Sequence, residues 1–146
     1  MGKQVRELMK TVFDKVYEDE TIYEAVKKIA ASEKTTIACV VDKEDRLKGL
    51  LTPRDILEAL EVRDFGFVRG HFFAGPEVLH LLTSKYAKDI MSAPVSVHAN
   101  DGVEEAINDM LDHGFYELPV VSEGMKVIGA ISYFDIIIDV LEGHKA

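Results

Sequence analysis

The chain is 146 residues long, 47% hydrophobic and 29% charged, and 17 basic against 26 acidic side chains leave a net charge of −9 at pH 7. Those figures describe a soluble globular protein with room for one ordinary domain, or for two small halves sharing a core. They exclude extended disorder and a membrane span, which needs about 20 consecutive apolar residues, and so acidic a surface excludes nucleic acid as the main partner.

The first ten residues, MGKQVRELMK, lack the apolar core of a signal peptide, so a cytoplasmic protein is expected. A short strand fits KVY at 15–17. Thr21 and Glu24 form a capping box ahead of Ile22, Ala25, Val26, Ile29 and Ala30, whose spacing predicts an amphipathic helix. Two strand-like runs follow, TIACVVD at 36–42 and RLKGLLT at 46–52, around the polar turn KED. Cys39, the only cysteine, lies in the first run. It rules out an intrachain disulfide and any multi-cysteine metal site, and it reads as a small buried hydrophobe. A closing helix starts at Pro53, with Ile56, Leu57 and Leu60 expected to face inward.

Residues 62–85 match no other part of the chain. They hold four of the seven phenylalanines (Phe65, Phe67, Phe72, Phe73), and PEVLHLLTSKY reads as a short helix with Pro76 at its first position. A solvated linker would not be this aromatic, so the segment is expected to fold over the core or to cover a dimer partner.

Beyond it the chain starts again. AKDIM (87–91) matches VRELM (5–9), with Met9 and Met91 82 residues apart. EEAINDM (104–110) matches YEAVKKI (23–29) at 81, and PVVS (119–122) matches CVVD (39–42) at 80. GAISYFD (129–135) matches GLLTPRD (49–55), again at 80. Small loop deletions explain the shrinking interval, and two diverged copies of one unit are the simplest account. The second copy repeats every element. A strand at VSV (95–97) precedes a helix with Asp101 and Glu104 at its start and Val103, Ala106, Ile107, Met110 and Leu111 on one face. Strands in YELPVVS and KVIGAIS flank EGM, and a closing helix from Tyr133 turns Ile136, Ile137 and Val140 inward. The predicted fold is α+β, two β-α-β-β-α repeats at 1–61 and 86–146 with a short helical insert at 62–85.

The phrase Gly-apolar-apolar-[Thr/Ser]-x-x-Asp has a local reading and a binding one. Locally, Thr52 is an N-cap, Pro53 the first helical residue and Asp55 the third, and losing such a cap costs about 1 kcal/mol. Ser132 and Asp135 repeat the arrangement. For binding, the same helix start offers free N–H groups to a phosphate, and the hydroxyl of Thr52 or Ser132 adds a hydrogen bond. The carboxylate of Asp55 or Asp135 accepts from both hydroxyls of a ribose, while Gly49 and Gly129 let a backbone or a ligand approach closely. The duplication favours binding, with capping retained when the cleft is empty. Arg54 gives the first copy a fixed positive charge where the second has Phe134.

The doubled unit, the ELM and DIM starts, the PVV strand and the hydroxyl–acid phrase together resemble the CBS domain. Two in tandem resemble a CBS pair, or Bateman module, over about residues 5–61 and 86–142. The resemblance implies repeats packed with pseudo-twofold symmetry, central strands together, leaving two clefts. It implies an adenosine-containing ligand (AMP, ADP, ATP, S-adenosylmethionine, sometimes NAD) that regulates an attached or partner protein. It also implies no catalysis, no required cofactor, and dimerisation into a flat disk. It assigns phosphate and ribose contacts to Thr52, Asp55, Ser132 and Asp135. Adenine slots are implied near Val95, Val97, His98 and Tyr116 to Leu118 for the first cleft, and near Val16, Tyr17 and Thr36 to Ala38 for the second. Val95 and Val97 would be core residues in any fold. Family members often place a basic residue just before the PVV strand. Here Thr36 and Ile37 stand in one copy, Tyr116 and Glu117 in the other, and Glu117 would repel a phosphate at 4 Å by about 1 kcal/mol in water. The second cleft is therefore expected to prefer a less anionic ligand, or none.

Histidines 71, 80, 98, 113 and 144 include no pair at the three- or four-residue spacing of a helical metal site, and none is expected. Nucleophile-elbow, phosphate-loop and dinucleotide glycine patterns are missing. Three functions remain to be weighed: a nucleotide sensor acting on a separate effector, a ligand-independent dimerisation or interaction module with vestigial clefts, and an enzyme supported only by turnover of a bound nucleotide.

Overall fold

The computed structural model describes residues 2–32, 37–65, 67–68, 71–72 and 84–143. The predicted unit occurs twice. A one-turn α1 (Val5–Leu8) leads into β1 (Asp14–Tyr17), α2 (Ile22–Ala31), β2 (Ala38–Val41), β3 (Leu47–Leu51) and α3 (Pro53–Phe65). A two-residue pairing, β4 (Phe67–Val68) with β5 (His71–Phe72), follows. The second unit is α4 (Ala87–Ile90), β6 (Val97–His98), α5 (Val103–His113), β7 (Glu117–Val121), a 3-10 turn at Glu123–Met125, β8 (Val127–Ser132) and α6 (Tyr133–Gly143).

Local chemistry sets the boundaries. The capping box at α2 forms as expected: Glu24 N–H donates to Thr21 Oγ1 at 3.1 Å and Thr21 N–H to Glu24 Oε1 at 3.4 Å. The helix α5 has Gly102 as its N-cap, while Asp101 accepts the His98 N–H at 2.8 Å instead of capping. It ends at Gly114, whose left-handed φ of 69° is a conformation that favours glycine.

Each sheet has its middle strand parallel to the first and antiparallel to the third, in the orders β1-β2-β3 and β6-β7-β8. Both carry an irregularity at the same place, after Val40 and after Val120. Side chains of one sheet face form the first repeat's own core with α2 (Val16, Ala25, Val40, Leu51), and Val97, Ala106, Val120 and Ile131 do the same in the second. A third cluster joins the repeats: Ile37, Cys39, Val41, Leu47 and Leu50 meet Val121 and Val127. Burial there pushes the Cys39 thiol up to about 12, with the charges of Glu117 and Asp14 adding to the shift.

The leading helices are exchanged between repeats. In α1, Val5 N–H donates to Asp101 O at 2.8 Å and Arg6 N–H to Ala99 O at 2.9 Å, and Val5 is buried in the second repeat's core. In α4, Ala87 N–H donates to Glu20 O at 2.9 Å and Lys88 N–H to Glu18 O at 3.1 Å, and Ala87 and Ile90 complete the first repeat's core. Isolated backbone bridges come in matching pairs: Gln4 with Gly102 and Tyr86 with Thr21, Lys10 with Ala130 and Ser92 with Leu50. The partners in each pair differ by the intervals of the sequence repeat. Arg46 bridges its own equivalent, Lys126, which marks the pseudo-twofold axis.

Several expectations are corrected. Leu57, Leu60, Ile137 and Val140 are exposed, Leu57 at 65%. Among the described residues, the inward stripe of α3 and α6 is narrower than their apolar composition suggests: Ile56 and Ala59 fill it in α3 and Ile136 in α6. The strand expected at 95–97 begins at Val97, because the Val95 N–H bonds back to Ala93 O at 2.8 Å and bends the chain off the ladder. The helix α3 continues through residues 62–65, into the expected insert. Of the helix expected over PEVLHLLTSKY (76–86), residues 76–83 lie outside the described residues and 84–86 are not helical.

Candidate functional site

Each closing helix starts where the third strand ends, and the other repeat's leading segment runs across that start. Leu50 exchanges two backbone hydrogen bonds with Ser92 (3.0 and 2.8 Å), and Ala130 exchanges two with Lys10 (both 2.8 Å). Gly49 and Gly129 permit this crossing. A Cβ on Gly49 would fall 2.6 Å from the Ser92 carbonyl oxygen, and one on Gly129 would strike the Lys10 carbonyl. The backbone of the crossing segment approaches both glycines, joined at Gly49 by the Met91 side chain.

At the first helix start, the Thr52 Oγ1 accepts the Asp55 N–H at 3.2 Å and donates to Asp55 Oδ2 at 2.9 Å. The Thr52 N–H also reaches that oxygen at 2.9 Å. The remaining oxygen, Oδ1, accepts the Ser92 hydroxyl at 2.6 Å. The second start repeats the geometry with one change. Ser132 N–H donates to Asp135 Oδ2 at 2.9 Å and Ser132 Oγ accepts the Asp135 N–H at 3.3 Å. Here Oδ1 faces an ammonium, Lys10 Nζ, at 3.1 Å. The side chain of Asp135 is 9% exposed and that of Lys10 71%. Both carboxylates therefore cap a helix and also hold a group from the opposite repeat.

The other expected residues divide. Val95 is partly buried against both the second repeat's core and the inter-repeat cluster, three residues from Ser92. His98 is exposed on β6. Arg54 points along its own helix, Nε to Glu58 Oε1 at 2.9 Å, away from Asp55. Val16 and Val97 are fully buried in the two repeat cores, on the faces covered by helices, and line no cleft. Tyr116 packs beside the second helix start. Its carbonyl accepts the Tyr133 N–H at 2.9 Å, and its ring lies 5.3 Å from that of Tyr133. The β7–β8 register, which opposes Glu117 and Ser132, puts it beside its own repeat's helix start rather than beside Asp55. Tyr17 is half-buried beside Lys15 and Lys28, and Ile37 is buried in the inter-repeat cluster. Thr36 lies outside the described residues. Glu117 is buried, and its charge adds to the upward shift of the Cys39 thiol.

Ser92 and Lys10 escaped the sequence reading. They occupy equivalent positions, each directly after a matched methionine, but a serine and a lysine share no chemistry that would single them out. Their contacts with Asp55 and Asp135 span 37 and 125 residues of chain. Among the described residues, surface grooves lie between α5 and α6 (about 420 Å³, lined by Ile107, Met110, Leu111, Tyr116 and Ile137, and reaching Tyr133 at the second helix start), beside α1 (about 540 Å³) and beside Asp42 and Arg46 (about 290 Å³). Among the described residues no cluster of metal-ligating side chains occurs, and no helix is long and apolar enough to cross a membrane.

Comparison with known proteins agrees with the repeat. The CBS domain profile matches residues 5–62 and 87–142. An uncharacterized protein of Methanocaldococcus jannaschii is 27% identical over 134 residues, which are 92% of this chain; the chain spans only 55% of that relative. A CBS domain-containing protein of Thermotoga maritima superposes with a TM-score of 0.78 at 25% identity, over 97% of this chain and 96% of the other. The protein CBSX2, solved in complex with AMP, has a TM-score of 0.77 at 22% identity, over 97% and 98% of the two chains.

Proposed function

Since the chain belongs to the CBS domain family, we propose that it is a non-catalytic sensor. An adenosine-containing ligand (AMP, ADP, ATP or S-adenosylmethionine) enters a cleft between the repeats and changes the surface offered to a separate effector protein in the cytoplasm. The observation that carries this reading is the pair Asp55 and Asp135. A cap needs one carboxylate oxygen, and Oδ2 serves it in both copies. Among the described residues, the other oxygen is held by one side chain that arrives from the opposite repeat. A ribose diol that displaced that side chain would keep the helix start intact and find its acceptor in place. The likeness to a CBS protein solved with AMP supports the ligand class.

A ligand shifts an equilibrium only by its differential affinity for the two states. Ser92 and Lys10 belong to the crossed segments, so a ligand that replaces them at the carboxylates favours a different seating of those segments. Relative movement of the repeats is the signal that an effector would read.

Isothermal titration with the four ligands tests the proposal. Asp55→Ala and Asp135→Ala are each expected to weaken one cleft at least tenfold, the loss of a charged hydrogen-bond acceptor, and to lower folding stability by about 1 kcal/mol through the lost cap. Absence of binding by every ligand at millimolar concentration would refute it. The groove between α5 and α6, rimmed by exposed Leu111 and Ile137, favours a second reading, a dimerisation or interaction module with unused clefts. A chain that sediments as a dimer and binds none of the four ligands would establish that one instead.

A further inference from the structure

The two helix starts are built alike except for the group that covers Oδ1. At Asp55 it is the neutral hydroxyl of Ser92, at 2.6 Å on a short side chain whose backbone is pinned by two hydrogen bonds to Leu50. At Asp135 it is the ammonium of Lys10, at 3.1 Å, on a four-carbon stem that stands largely in solvent. Lys10 is pinned equally firmly, to Ala130, so its Nζ is tethered beside Asp135 at the start of α6. Of the charges assigned from sequence, Arg54 is paired with Glu58 along α3 and Glu117 is buried.

We propose that Lys10 determines the specificity of the second cleft, releasing Asp135 to the ribose and taking the phosphate of the same ligand. This rests on the nucleotide reading given above and reverses the ordering expected from sequence, because it makes the second cleft the one that selects a phosphorylated nucleoside. An entering ribose takes over Asp135 Oδ1 and leaves an ammonium without its anion beside the N-terminus of α6. A 5′-phosphate restores the pairing; adenosine breaks the ion pair and returns nothing. The Ser92 hydroxyl carries no charge, so the first cleft makes no such demand.

The test is titration of AMP and of adenosine against Asp55→Ala protein, in which only the second cleft remains competent, with and without Lys10→Met. The expected result is that Lys10→Met lowers AMP affinity about tenfold or more, as loss of a charge-assisted hydrogen bond would, while adenosine binds as well as before or better. Lys10→Arg should keep the preference for AMP and melt like its parent, whereas Lys10→Met should melt lower, because it leaves the nearly buried Asp135 carboxylate without its ion-pair partner. Parallel changes for AMP and adenosine, no change for either, or failure of Asp55→Ala to bind AMP when the wild type does would each overturn the role of Lys10 while leaving the nucleotide reading standing. A wild-type chain that binds neither probe would remove both.

Discussion

Cys39 lies in the cluster that joins the repeats, 2% exposed, with Val121 and Val127 of the second repeat in the same cluster. An unfolded cysteine titrates near 8.5, roughly, whereas this one is held up to about 12. Between those values the folded chain keeps a proton that the unfolded chain has lost. Stability is therefore complete below the lower value and falls as pH rises through it, by up to about 1.4 kcal/mol per unit. Denaturant titrations at pH 8 and pH 10 should show the wild type losing about 2 kcal/mol more than Cys39→Ala over that interval. Equal losses would mean that solvent reaches the thiol and that the inter-repeat cluster is looser than described. Reading Cys39 as a small buried hydrophobe from its apolar neighbours was sound. The same reasoning had no access to Glu117, because a carboxylate in a strand-like run looks the same whether it faces a cleft or a core.

At the scale of elements, the repeating units were legible because their signals are local. The Thr21–Glu24 box, the hydroxyl–acid phrase at both closing helices and the strand-like runs around KED and EGM each occupy a few consecutive residues, and the matching elements formed there. What failed was the width of the buried stripe on α3 and α6. Apolar residues exceed the face that packs, and periodicity alone does not say how many sides of a helix are covered. The crossing segments were illegible for a different reason: they make backbone contacts with residues far along the chain, and the only trace they leave is a glycine in a strand. That trace supports a prediction. Gly129→Ala forces a methyl group against the Lys10 carbonyl, and overpacking of this kind costs typically about 1–3 kcal/mol. A lowered midpoint in chemical denaturation is expected. A midpoint unchanged by the substitution would show that Lys10 does not run across β8 as described.

Over the whole molecule, the exchange of α1 and α4 makes each core a joint product of both repeats. Val5 is buried in the second core, and Ala87 and Ile90 in the first. Burial of an aliphatic side chain contributes about 1.5–3 kcal/mol, so a single repeat deprived of its partner's leading turn loses packing it has no means to replace. Cleavage of the chain between residues 72 and 84 should accordingly leave two fragments that stay together through gel filtration and that unfold as one. Either fragment expressed alone should lack a cooperative transition in denaturant. Fragments that separate and fold independently would show that the exchanged turns are ornamental.

The crossing also bears on how such a chain could have arisen. A lone ancestral copy carries a leading turn that packs on a neighbour, so it had a use for that turn only in the company of another molecule of itself. Self-association of one copy followed by gene fusion would tie together two subunits already trading arms. Once they were joined, one copy could acquire a lysine where the other carries a serine, a divergence of duties that identical subunits could never have made.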